Sequence, residues 1–179
     1  MQINIGLEKV EKILHVADIH IRNFKRHKEY RQVFRKLYKD AKQLPKNSLI
    51  YVAGDIVHTK TDISPELIEL TSEFLRKLAD IRPTIVITGN HDANLNNSSR
   101  LDALTPIIDN LNHPNLHYLK DSGIYRVCDI DFIVMSVFDE PKDFPDARKA
   151  SGIKIGLHHG PVHNSVTDIG YIVNNTHAD

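Results

Sequence analysis

Thr84-Ile85-Val86-Ile87-Thr88 runs directly into Gly89-Asn90-His91-Asp92, and this junction decides the reading of the fold. A short apolar, β-branched run bounded by a turn signal predicts a buried parallel strand. Polar groups with metal-binding or acid–base chemistry then begin where the strand ends. The pattern recurs three times. Lys12-Ile13-Leu14 leads to Val16-Ala17-Asp18-Ile19-His20, Leu49-Ile50-Tyr51-Val52-Ala53 to Gly54-Asp55-Ile56-Val57-His58, and Ile153-Lys154-Ile155 to Leu157-His158-His159-Gly160. In open α/β sheets, ligands bind at the carboxyl edge of the strands. Four such junctions delivering Asp, His and Asn together predict a metal site.

Between these junctions the sequence predicts helices. Tyr30, Val33, Phe34, Leu37, Tyr38, Ala41 and Leu44 fall at helical spacing before Pro45. Ser64-Pro65-Glu66 reads as an N-cap with proline at the first helical position, ahead of Leu67, Leu70, Phe74, Leu75 and Leu78. A further helical stretch runs to about Leu111, with Pro106 marking a kink or a fresh start capped by Thr105. Short strands are expected over 116–119, 124–128 and 132–137, then an acidic loop, then a strand over 153–157. Met1 to Glu11 fits either a preceding strand or a loose arm. The β-α-β-α-β order with a strand-rich second half indicates an α/β sandwich.

Composition is that of a globular domain: 179 residues, 41% hydrophobic and 26% charged. No apolar run reaches the ~18 residues of a membrane span. The start of the chain lacks the pattern of a signal peptide. The one cysteine, Cys128, excludes an internal disulfide and a thiolate metal cage, so a cytoplasmic (or nucleoid-associated) address is expected. Net charge is zero, but it conceals nine Lys or Arg from Arg22 to Lys42 against Glu29 and Asp40, and six acids from Asp129 to Asp146 against Lys142. The basic run Arg22, Lys25, Arg26, Lys28 starts two residues past His20. It reads equally as a grip on DNA phosphates or as a solvated surface.

The candidate ligands divide by chemistry. Asp18 and His20, two residues apart in an extended strand end, would point the same way and converge on one cation. Asp55 has two oxygens and could bridge two ions ~3.5–4 Å apart. Asn90 offers a carbonyl oxygen and His158 an imidazole nitrogen for the second ion. A set of oxygen and imidazole donors favours two divalent ions, Mn²⁺ first, and hydrolysis of a phosphorus ester. His91 would face substrate as a catalytic group, with Asp92 holding its other ring nitrogen; His58 is a second candidate for contacting the phosphate.

Asp18-Ile19-His20, Gly54-Asp55, Gly89-Asn90-His91-Asp92 and His158, in this order, resemble the calcineurin-like metallophosphoesterases. The resemblance implies an αββα sandwich of mixed β-sheets flanked by helices, over residues 1–179 as one domain. It implies Asp18, His20, Asp55, Asn90 and His158 as metal ligands, with His91 and His58 catalytic. Between the adjacent histidines, the family pattern favours His158 over His159. A histidine three residues beyond Asp55, and the run His158 to His163, are similar to the SbcD-type DNA nucleases. That branch implies a Mn²⁺-dependent exo/endonuclease for DNA repair and recombination, working with an SMC-like ATPase subunit (SbcC-type) and as a homodimer. A phosphoesterase for small molecules or phosphoproteins, and a non-catalytic scaffold of the same fold, are the alternatives. The family's closing Gly-x-His-x-His motif has no match here, His177 being the nearest residue, so a chain truncated at its C-terminus, without the cap domain, is expected.

Overall fold

Leu49 to Ala53 shows how the layers form. Its odd-numbered side chains (Leu49, Tyr51, Ala53) face one apolar cluster and its even-numbered ones (Ile50, Val52) face another. Alternation along a strand sends successive side chains to opposite faces, so this strand must be covered on both sides. In the computed structural model, which describes residues 1–97, 100–160, 164–166 and 169–173, a second β-sheet supplies one of those covers and helices the other.

The first sheet is parallel, in the order β1 (Lys12–Val16), β2 (Ser48–Ala53), β3 (Thr84–Ile87), β4 (Leu116–Tyr118). Its crossovers carry α1 (His27–Lys42), α2 (Pro65–Ile81) and α3 (Thr105–Leu111). All three helices contribute to one core with Ile50, Val52 and Val86, and Phe34 of α1 meets Phe74 of α2 at 4.3 Å between ring centroids. Ser64 caps α2 as its sequence predicts, accepting from Leu67 N at 3.3 Å.

The second sheet is mixed: β5 (Gly123–Val127) and β6 (Ile130–Met135) form a hairpin, and β7 (Ile153–His158) joins β6 in parallel. Tyr125, Val127, Ile130, Phe132, Val134 and Leu157 face Leu49, Tyr51, Ile85 and Ile87 of the first sheet. The expected mixed α/β sandwich is therefore the observed one. The N-terminal arm lies against β5, with Arg126 N donating to Met1 O and Ile3 N to Arg126 O, and Ile5 is buried.

Three expectations change. The strand β1 is at a sheet edge and only half-buried, not covered on both faces, and His15 on it is exposed and stacks on Tyr51. The helix α3 starts afresh at Thr105, with Pro106 in the first turn where its missing N–H costs no helical bond, but Thr105 is not the cap. Its cap is Asp102, whose Oδ1 accepts from Leu104 N and Thr105 N and whose Oδ2 accepts from Thr105 Oγ1. Cys128 lies in the β5–β6 turn, where its thiol donates to Leu7 O. No helix among the described residues is long and apolar enough to cross a membrane.

Candidate metal centre

The ends of β1, β2, β3 and β7 open on one side of the sandwich, and backbone bonds continue past the strands to hold the loops there. His20 N donates to Asp55 O, Ile21 N to Ile56 O and His58 N to Ile21 O. Asp18, His20 and Asp55 each have a positive φ, at 54°, 49° and 51°. Left-handed backbone is uncommon for residues with a Cβ, and such strain concentrates at functional sites. So Asp18 and His20 converge through left-handed backbone, with Asp18 Oδ1 3.8 Å from His20 Nε2, and not through the extended strand end their spacing suggested.

Asp55 is the centre of the arrangement. Its side chain is 5% exposed, and Oδ2 lies 3.5 Å from His20 Nε2 and 3.2 Å from His159 Nε2. Its Oδ1 accepts from His91 N at 2.9 Å. This approach needs the two glycines before Asp55 and Asn90. A Cβ on Gly89 would lie 2.1 Å from Asp55 Oδ1, and one on Gly54, at φ 77°, would lie 2.6 Å from Gly89 N. Burial would raise the Asp55 carboxyl, but hydrogen bonds from His159 and His91 N outweigh it, and the net shift is downward.

Two donor groups result. Asp18, Asp55 and His159 offer atoms within 4.8 Å of one another, and so do His20, His58 and His91. The fit to divalent ions rests on donor chemistry and on unmet need. Carboxylate and imidazole suit Mn²⁺, Fe²⁺ or Zn²⁺. Among the described residues, the buried Nδ1 atoms of His20 and His58 have no hydrogen-bond partner. Asn90 is exposed in the same turn, between Gly89 and His91, both of which touch Asp55.

Of the two adjacent histidines, His158 packs against β6, its Nδ1 3.2 Å from Met135 O and its ring edge-on to Phe144. It is His159 that reaches the carboxylate. The reason is strand parity: Ile155 and Leu157 face the other sheet, and His159 continues that face past the end of β7. His159 Nδ1 donates to Ala53 O at 2.6 Å, which aims Nε2 at Asp55. That ion pair, with help from the Ala53 carbonyl and the Asp18 charge, raises the His159 imidazole to about 9 against the opposing effect of burial.

The role expected of Asp92 is also different. His91 Nδ1 is held by the backbone carbonyl of His58 at 2.7 Å. A carbonyl only accepts, so Nδ1 carries the proton and Nε2 the lone pair. Asp92 is fully buried and ties the strand ends together, Oδ1 accepting from Val57 N and Oδ2 from Gly89 N. Burial lifts its carboxyl to about 7 against those two donors. The His20, His58 and His91 rings form a compact trio, with centroids 4.7 Å apart for His20–His91 and 5.6 Å for each other pair. Burial, the Arg22 guanidinium and the neighbouring His20 and His91 lower His58. His163 and His177 lie outside the described residues.

A family model for calcineurin-like phosphoesterases matches residues 11–178. The chain belongs to that family. This calcineurin-like phosphoesterase is also similar to the "Uncharacterized protein R555" of Acanthamoeba polyphaga mimivirus, at 46% identity over 179 residues, covering 93% of this chain. It spans 13% of the length of that relative. Family membership places the domain among metal-dependent phosphoester hydrolases.

Proposed function

We propose that this calcineurin-like phosphoesterase is a Mn²⁺-dependent DNA nuclease. It would cleave phosphodiester bonds as the nuclease part of a repair or recombination assembly with an SMC-like ATPase, with one domain over residues 1–179. The observation that carries the reading is Asp55: one buried carboxylate stands between two separate donor groups at the strand ends. What favours DNA over a small phosphoester is His58, three residues past Asp55 as in the SbcD-type nucleases, whose ring lies within the His20–His91 trio.

Asp18, Asp55 and His159 would hold one ion, and His20, Asp55 and Asn90 the other. Bound there, the ions supply a water-derived nucleophile at neutral pH and neutralise charge developing on the phosphate. The chain's own residues do the rest. Asp55 Oδ1 is fixed by His91 N, so the carboxylate cannot rotate away. The His58 carbonyl fixes His91 in one tautomer, leaving Nε2 to donate to the leaving oxygen once protonated. His58, lowered by its surroundings, faces the His20 and His91 rings from the loop past β2.

The test is cleavage of end-labelled and circular DNA with Mn²⁺, beside a panel of nucleotides and phosphopeptides. The expected result is Mn²⁺-dependent DNA cleavage that falls at least a hundredfold in His91→Ala. Hydrolysis of nucleotides or phosphopeptides with none of DNA would replace this reading with that of a small-substrate phosphoesterase. Mn²⁺ binding without hydrolysis of any substrate would point to a scaffold.

A further inference from the structure

The loop between β1 and α1 presents a feature the metal centre does not use. Phe24 is 71% exposed and held at φ 53°, and Arg26 follows at φ 57°. An isolated exposed apolar residue is ordinary, but a phenylalanine locked in left-handed backbone is uncommon. Neighbouring bonds fix the loop: His27 Nε2 lies 2.8 Å from Arg22 O, Asn23 Nδ2 donates to Asp62 Oδ1, and Tyr30 N donates to Arg26 O. Tyr30 OH reaches back to His20 O, which ties the loop's base to the metal centre.

The charges around Phe24 differ from those elsewhere. Arg22, Lys25, Arg26 and Lys28 are exposed, and among the described residues no carboxylate forms an ion pair with them. On the adjoining helices, Arg31 pairs with Glu69 and Glu73, and Lys77 with Glu73. Arg22 also acts electrostatically on His58, so this positive field reaches the trio of histidines. An exposed, conformationally fixed ring among unpaired cations has the makeup of a single-strand binding platform, where the ring stacks on a base and the cations follow the phosphates.

We infer that Phe24 stacks on an unpaired nucleobase next to the scissile phosphate, so that the loop 22–28 selects single-stranded DNA or frayed ends over intact duplex. The inference rests on the nuclease reading and adds to it a residue that recognises a base and not only phosphate. The chain contains no tryptophan, so Phe24→Trp introduces a single fluorescent reporter at an exposed site.

The experiment uses the full chain in EDTA, with a ten-nucleotide oligo-dT strand and an abasic strand of equal length and charge. Phe24→Trp fluorescence is expected to be quenched by oligo-dT and not by the abasic strand. Phe24→Ala should bind oligo-dT roughly tenfold or more weakly, in line with the typical worth of a base–aromatic stack, with abasic binding unchanged. Equal quenching by both strands, or unaltered oligo-dT binding by Phe24→Ala, overturns the stacking inference and leaves the nuclease reading intact. If the wild-type chain binds neither strand although it binds Mn²⁺, both are wrong.

Discussion

Replacing His159 with glutamine separates the two adjacent histidines by their physical roles. In the metal-free protein His159 Nε2 is paired with Asp55 Oδ2 at 3.2 Å, only 12% of its side chain is exposed, and its imidazole is raised from 6.5 to about 9. Each whole step in pKa corresponds to 1.36 kcal/mol, so the pair stabilises the fold by about 3 kcal/mol when the imidazolium is present. The sign follows from the direction. The folded value lies above the unfolded one, so the stabilisation is complete below pH 6.5 and is lost as pH rises through about 9. Urea unfolding in EDTA from pH 5.5 to 9.5 should therefore show wild type losing about 3 kcal/mol relative to His159→Gln. Because a bound metal needs the neutral ring, Mn²⁺ affinity should rise by up to about tenfold per pH unit between 7 and 9, with close to one proton released. His158→Ala, which removes only the contacts to Met135 O and Phe144, should behave as wild type in both assays. Loss of the pH dependence in His158→Ala with its retention in His159→Gln would refute the parity argument.

Other parts of the structure give independent expectations. Gly89→Ala places a Cβ against Asp55 Oδ1 and Asp55 N, so it should cost about 1–3 kcal/mol in unfolding experiments and weaken Mn²⁺ binding by displacing the carboxylate. Asp92→Asn turns an amide NH₂ toward Val57 N or Gly89 N; a loss of about 1–3 kcal/mol is expected, read by denaturant midpoint. Phe74→Ala empties a fully buried site against Phe34. It should cost about 3–5 kcal/mol while Mn²⁺ affinity, measured below the unfolding transition, stays unchanged.

Much of the site was legible because strand ends advertise themselves. An apolar run that stops at Asp, Asn or His marks both the strand and its carboxyl edge, and this placed Asp18, His20, Asp55 and His91 around one centre. The exchange of His158 for His159 was also open to sequence reasoning. Ile155, Leu157 and His159 share one parity, and that alternation brings His159 to the face where Asp55 lies. The partner of His91 was not legible, since a backbone carbonyl carries no residue identity; a carboxylate one position away was the visible but wrong choice. Nor could sequence place β1 at an edge, because strand order depends on which crossovers fold to which side. The left-handed backbone at Asp18, His20 and Asp55 has only a weak sequence signal, since Asp and His favour that region over other non-glycine residues but adopt it seldom.

The proposed chemistry requires two divalent ions to share Asp55 at the strand ends. Titration of Mn²⁺ followed by electron paramagnetic resonance of the free ion tests it most directly, in wild type and in Asp55→Asn. Two ions per wild-type chain, with both lost or severely weakened together in Asp55→Asn, is the predicted result. One ion or none in wild type, or two ions unaffected by the substitution, would contradict it.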